Sequence, residues 1–252
     1  MTALVTEAIV LHAFDYLETS RIIRLMTRDA GIQSVLARGA RSSRKRFGSA
    51  LDLFAQGTAE IDMRPNRELH SLASIEVSRS RSQLATDVGR FTAASMIVEL
   101  ALRTSSDEPA PGLFDSVEAA LDGVALASPE ASIDAGLAGA WHIIASLGFT
   151  PALDVCANCH ADLDPSKPVR FSHTAGGALC ERCGALATAC RLLPPDARDA
   201  LRSWMSSGVA PGLSEAGARA HQRLLREFVQ EHLAGERELK AFGVWENGGW
   251  SG

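Results

Sequence analysis

The chain has 252 residues, 46% hydrophobic and 22% charged, which is enough apolar material for a packed core and too much for a disordered chain. Its net charge of −5 argues at first against nucleic acid, but residues 1–81 hold twelve Lys and Arg against nine Asp and Glu, while the remainder holds 13 against 21, so a basic first third precedes an acidic rest. No run of 18 or more apolar residues offers a membrane span, and the start of the chain carries Glu7 without a basic leader, so neither a membrane protein nor a secreted one is expected.

Residues 2–78 read as β structure. Val5, Ile9 and Leu11 share a parity, and Ile22, Ile23, Leu25 and Met26 form a second run. The turn Asp29-Ala30-Gly31 joins that run to Ile32–Ala37, as in a hairpin. Leu51–Met63 is a further run, Arg64-Pro65-Asn66-Arg67 has turn chemistry, and Leu69–Val77 closes the series. About five strands suit a small closed or nearly closed barrel, although periodicity alone also allows a sandwich.

Between two of these runs lies Arg38-Gly-Ala-Arg41-Ser-Ser-Arg44-Lys45-Arg46, with five cations and no acid in nine residues. Guanidinium forks bind phosphate oxygens bidentately and release counterions, so this loop is a candidate reader of a nucleic-acid backbone. The competing reading is a solvated loop. Arg21 and Arg24 are three residues apart on a strand and face opposite ways if it is regular, so only one of them joins the patch. Phe47, a lone aromatic beside a strand, is expected in the core.

From Thr86 the period changes. Phe91, Ala94, Ile97, Val98 and Ala101 mark an amphipathic helix that Thr86 or Asp87 can cap. After a loop at Ser105–Gly112, Leu113–Leu126 and Ile133–Leu147 read as two more helices, the last ended by Gly148. His142 inside that helix is expected to pack rather than to act as a base. Pro194-Pro195 opens a short helix ending near Gly208, and Ser214 begins a long one to about Ala234 with Leu224, Leu225, Phe228 and Leu233 on its apolar side. The Gly-rich tail Asn247–Gly252 is expected to be loose.

The most specific pattern is Cys156-x2-Cys159, twenty residues, then Cys180-x2-Cys183. Two such knuckles complete the tetrahedron that zinc accepts, so one structural Zn2+ is expected, held in a ribbon around the β-like piece Val169-Arg170-Phe171. Four thiolates leave no open position for water, which removes metal catalysis at that ion. His160 and His173 fall between the pairs but are not needed as ligands, and Cys190 is expected to be a buried core residue. No P-loop, dinucleotide fingerprint, nucleophile elbow or carboxylate cluster is present, so neither an enzyme nor a small-molecule substrate is expected.

The segment from Thr6 to Phe54 resembles the opening of the RecO recombination-mediator family. The matching residues are Asp15, Tyr16, Glu18 and Ser20 in a turn, Arg38, Gly39, Ala40 and Arg41 in a loop, and Leu51, Leu53 and Phe54 in a strand. The order of modules and the approach to the cysteines fit the same family. The resemblance implies an α+β chain: an oligonucleotide/oligosaccharide-binding (OB) barrel at 1–80, a helical domain at 81–153 and 185–252, and a zinc module inserted at 154–184. It implies a mediator that binds single- and double-stranded DNA, anneals complementary strands and helps load recombinase onto DNA coated by single-strand-binding protein in the RecF pathway, with RecR as partner. It further implies no active site and a place in the bacterial cytoplasm at the nucleoid. The DNA contacts expected are Arg21, Arg24, Arg38, Arg41, Arg44, Lys45 and Arg46. The alternative is a zinc-ribbon protein-interaction or regulatory module that does not bind DNA directly. The acidic helical part is a less obvious dock for the acidic tail of single-strand-binding protein, unless a local basic, apolar groove exists there.

Overall fold

In a computed structural model of the chain, residues 2–42, 47–207 and 213–248 are described. Five strands, β1 (Thr2–Tyr16), β2 (Ser20–Thr27), β3 (Gly31–Ala37), β4 (Gln56–Met63) and β5 (Leu69–Arg79), close into a barrel in the order β1-β2-β3-β5-β4. The β3–β5 pair is parallel and the others are antiparallel, which is the OB-type arrangement. Ala8, Val10, Ile23, Leu25, Val35, Ala59, Ile61 and Leu72 fill the interior, and Phe47 joins them as expected. The parity of Val5, Ile9 and Leu11 belongs to the outer face. Val5 is exposed, whereas Ile9 and Leu11 are buried against the helical part. The run from Leu51 becomes a strand only at Gln56, because Gly48–Leu51 is a 3-10 turn and Phe54 has φ +69°.

A bulge interrupts β1: Val10 pairs with Leu25 and His12 with Arg24, leaving Leu11 as the extra residue. Such an insertion reverses the alternation beyond it. His12 and Phe14 therefore share the outer face with Leu11 and Arg24.

The helices are α1 (Val88–Thr104), α2 (Pro111–Leu126), α3 (Ser132–Ser146), α4 (Glu181–Leu186), α5 (Pro195–Ser207), α6 (Glu215–Val229) and α7 (Lys240–Asn247). Asp87 caps α1 by accepting the Arg90 N–H at 2.8 Å, and Ser214 caps α6 by accepting that of Gly217 at 3.2 Å. Trp141, Trp204, Trp245 and Phe228 sit in the shared core. A Cβ at Gly139 would come within 2.6 Å of the Ala120 Cβ, so glycine lets α2 and α3 approach closely. His142 is exposed on α3, against expectation, because the apolar face of that helix runs through Trp141 and Ile144 instead. The expected end near Gly208 and most of the expected loose tail lie outside the described residues. The sequence pattern gives no sign of α7. Glu99 of α1 holds it, its carboxylate accepting the N–H groups of Lys240, Ala241 and Phe242 at 3.1, 2.7 and 3.3 Å. Among the described residues, no helix is long and apolar enough to cross a membrane.

Three barrel arginines clamp the barrel to α2. Arg81, whose side chain is 1% exposed, donates to Asp122 at 2.6 Å, to the Phe54 carbonyl at 2.8 Å and to Gln56 at 2.8 Å. Arg28 bridges Glu7 and Asp115 at 2.6 and 2.7 Å and lies over the Phe114 ring, and Arg79 reaches Glu118 and Asp122. Part of the basic excess of the first third, and part of the acid excess that follows, thus meet inside the molecule.

His221 on α6 stands edge-on to Trp204 at 4.7 Å and is buried. Desolvation holds its pKa down to about 4, so the folded chain carries it neutral. Unfolded, it takes a proton near 6.5. Its stabilising neutral form is fully available above about pH 6.5, and roughly 3 kcal/mol is lost as pH falls from there toward about 4. Urea unfolding at pH 7 and pH 4.5 should show this loss, and His221→Gln should lack that share of it. An unchanged pH dependence in the variant would contradict the assignment.

Candidate metal centre and nucleic-acid interface

Residues 151–193 fold around a small sheet of β6 (Val169–Ser172), β7 (Gly177–Leu179) and β8 (Arg191–Leu193), with β6 in the centre. The Cys156 knuckle is closed by His160 N–H to the Cys156 carbonyl at 2.9 Å and Cys156 N–H to that of Ala161 at 2.8 Å. The second knuckle is the first turn of α4, where the Gly184 N–H reaches the Cys180 carbonyl at 2.8 Å. These turns bring all four sulfurs within 4.8 Å of one another, and none is in a disulfide. Cys159 and Cys180 have their sulfurs 3.7 Å apart. A tetrahedron with metal–sulfur bonds of about 2.3 Å has edges of about 3.8 Å, so the spacing fits an ion of that kind.

Burial opposes ionisation of Cys156, but N–H groups of Cys180, Cys159 and Asn158 outweigh it and hold the thiol at about 6. Cys183 goes the other way: the Asn158 amide favours its thiolate, yet the neighbouring sulfurs and burial push it to about 11. Cys156 is thus the readiest thiolate, and Cys183 gives up its proton as a cation arrives. His160 and His173 stand outside the cluster, and His173 instead meets Glu227 at 3.0 Å. Cys190 is only half-buried, contrary to expectation, because it packs at the margin of the cysteine cluster rather than in the main core.

Of the expected DNA contacts, Arg21 and Arg41 are brought together. Both meet Asp15, at 3.1 and 3.6 Å, and Arg41 also donates to the Leu17 carbonyl at 3.2 Å. The backbone N–H of Arg41 reaches the Thr19 carbonyl at 3.0 Å, so the loop after β3 is tied to the β1–β2 turn. Gly39, at φ +73°, supplies the left-handed residue this loop needs. Arg38 is exposed at its start. Arg24 is on the opposite face of β2 from Arg21, as their spacing predicts, and lines a cleft of about 680 Å³ between the barrel, α1 and α7. Arg44, Lys45 and Arg46 lie outside the described residues. The pairing explains why an acidic turn and a basic loop far apart in sequence occur together: Asp15 positions both arginines. Sequence reading missed the cleft itself, whose only local sign is the pair His12 and Phe14 on a strand where alternation breaks.

Sequence models of two family regions match: "Recombination protein O N terminal" over residues 1–81 and "Recombination protein O C terminal" over residues 85–241. A protein of Anaeromyxobacter dehalogenans (strain 2CP-C) named "DNA repair protein RecO" is 36% identical over 240 residues, 93% of each chain. One of the same name from Myxococcus xanthus (strain DK1622) is 31% identical over 236 residues, again 93% of each.

Proposed function

The chain belongs to the recombination protein O family, and on that premise we propose that it is a DNA repair and recombination mediator that works by binding DNA without chemistry on it. It binds single- and double-stranded DNA, anneals complementary strands and helps load recombinase onto DNA coated by single-strand-binding protein in the RecF pathway, with RecR as partner. In this reading residues 1–80 are the DNA-binding barrel, 81–153 and 185–252 the helical domain, and 154–184 the zinc module. Cys156, Cys159, Cys180 and Cys183 hold one structural Zn2+ and take no part in a reaction. The protein acts in the bacterial cytoplasm at the nucleoid, and neither a membrane nor a small-molecule substrate is involved.

The observation that carries this reading is the anchored basic loop. Arg41 is fixed at the end of an OB-type barrel beside Arg21, with Arg38 exposed next to them. Phosphates neutralised there release counterions, and annealing follows when one cationic surface holds two strands while base pairing selects the match. Arg41→Glu/Arg44→Glu should weaken single- and double-stranded DNA alike, by about tenfold or more at moderate salt, and flatten the salt dependence by roughly two units of slope. Unchanged affinity in a gel shift would remove the loop from the interface. A wild-type protein that binds neither form would favour a zinc-ribbon protein-interaction module instead.

A further inference from the structure

We propose that the cleft between the barrel's outer face, α1 and α7 is a site for the unpaired bases of a single DNA strand, distinct in chemistry from the phosphate-binding loop. This rests on the DNA-binding reading above and adds the group that tells single strands from duplex.

The argument starts at the bulge in β1. By turning His12 and Phe14 outward it places two rings on one strand edge, stacked with centroids 4.2 Å apart. Phe14 is 46% exposed, a large apolar surface for water to cover. Across the cleft stands Phe91 of α1, 37% exposed and braced edge-on by Phe54 at 5.8 Å. Phe54 keeps its left-handed backbone, unfavourable for a bulky residue, because its N–H reaches the Val10 carbonyl at 2.9 Å and its carbonyl accepts from Arg81 at 2.8 Å. The aromatic wall is therefore built on rigid elements, not on a loose loop.

The charge around it points the same way. Arg24, Arg237 and Lys240, which line this cleft, have no ion pair among the described residues, whereas Arg103 beside them is paired with Glu99. Nε of Arg24 is buried without a hydrogen bond. The one acid in the cleft, Glu99, is already engaged by three backbone N–H groups of α7 and by Arg103. What remains is an uncompensated cationic rim around aromatic faces. Bases of a single strand offer both stacking faces and a phosphate at each step, and base–aromatic stacking tolerates any sequence. In a duplex those faces are already covered by neighbouring pairs, so the aromatic wall is useful only for unpaired bases. An acidic, apolar peptide would match the same charges, but it does not call for flat rings set at the wall.

The test uses full-length protein, a fluorescent oligo-dT and a duplex of equal length. Phe14→Ala/Phe91→Ala should weaken oligo-dT by about tenfold or more and change duplex affinity by less than about twofold. Phe14→Trp should retain oligo-dT binding, and quenching of a 2-aminopurine base in the oligomer should vanish only in the alanine variant. Arg237→Glu/Lys240→Glu, at exposed positions that do not threaten folding, should also lower oligo-dT affinity selectively. Equal oligo-dT affinity in both double variants, with the loop variant Arg41→Glu/Arg44→Glu still impaired, would overturn the cleft and leave the DNA reading intact. Wild-type protein that binds no DNA would overturn both. Retained oligo-dT binding with loss of binding to an acidic, apolar peptide would overturn the proposal in favour of a peptide site.

Discussion

Cys156→Ser should reduce bound zinc from about one equivalent per chain to near none and unfold the two cysteine knuckles while the barrel and the helical core stay intact. The effect is local because of what else holds the module. Val169, Phe171, Ala178 and Leu193 of the small sheet pack into the main core, whereas the sulfurs have around them only Cys156, Leu179, Cys183 and partly buried neighbours, so hydrophobic burial supplies a small share of the stability at the knuckles alone. Structural zinc sites contribute about 10–16 kcal/mol of apparent binding free energy near neutral pH, and the contacts around the knuckles are too few to replace it. Elemental analysis gives the stoichiometry, and limited proteolysis should show new cleavage within residues 154–190. Chelation of the wild type should reproduce both. Acidification should do the same, because the metal needs thiolates and protons compete with it for the sulfurs. One equivalent of metal retained by the serine variant, or disulfides in the protein as purified, would defeat the assignment.

Arg81→Ala should lower unfolding free energy by about 3 kcal/mol, the lower end of what breaking a buried charge pair costs, since Asp122 keeps some contact with water. The guanidinium satisfies three acceptors at once: the Asp122 carboxylate, the Phe54 carbonyl and the Gln56 amide oxygen. Removing it leaves two of them short of a donor in a buried place and frees the backbone at Phe54. Arg81→Lys should recover little, because a single ammonium cannot reproduce a fork aimed at three partners. Arg28→Ala is the control. Its contacts with Glu7 and Asp115 are more exposed, and the loss there should stay near 1 kcal/mol or less. Urea denaturation separates the two, and equal small shifts for both variants would mean that Arg81 does not hold barrel and helices together.

The elements that sequence alone determined are those fixed by local chemistry. The hairpin turn at Asp29-Ala30-Gly31, a cap at Thr86 or Asp87 and the helical repeats of α1, α2, α3, α5 and α6 follow from interactions within a few residues, and the structure has each of them, with Asp87 as the cap. The cysteine spacing determined the cluster for the same reason, because two turns of fixed geometry aim two thiols each at one point. Alternation along β1 was legible only as far as the bulge. Nothing local marks an inserted residue, and past it every side chain changes face.

Sequence spacing already set Arg21 and Arg24 on opposite faces of β2, but the partners of the arginines were decided by tertiary structure. In sequence Arg21, Arg24, Arg28, Arg41, Arg79 and Arg81 are equal cations in a basic third of the chain. Folded, Arg28, Arg79 and Arg81 meet acids of α2, Arg21 and Arg41 share Asp15, and Arg24 is turned alone into a cleft. Charge carries no period that reveals which acid it will meet, since partners such as Arg28 and Asp115 are 87 residues apart and are chosen by how the barrel seats on the helices. The same holds for α7, a short helix whose first N–H groups are satisfied by Glu99, more than 140 residues earlier.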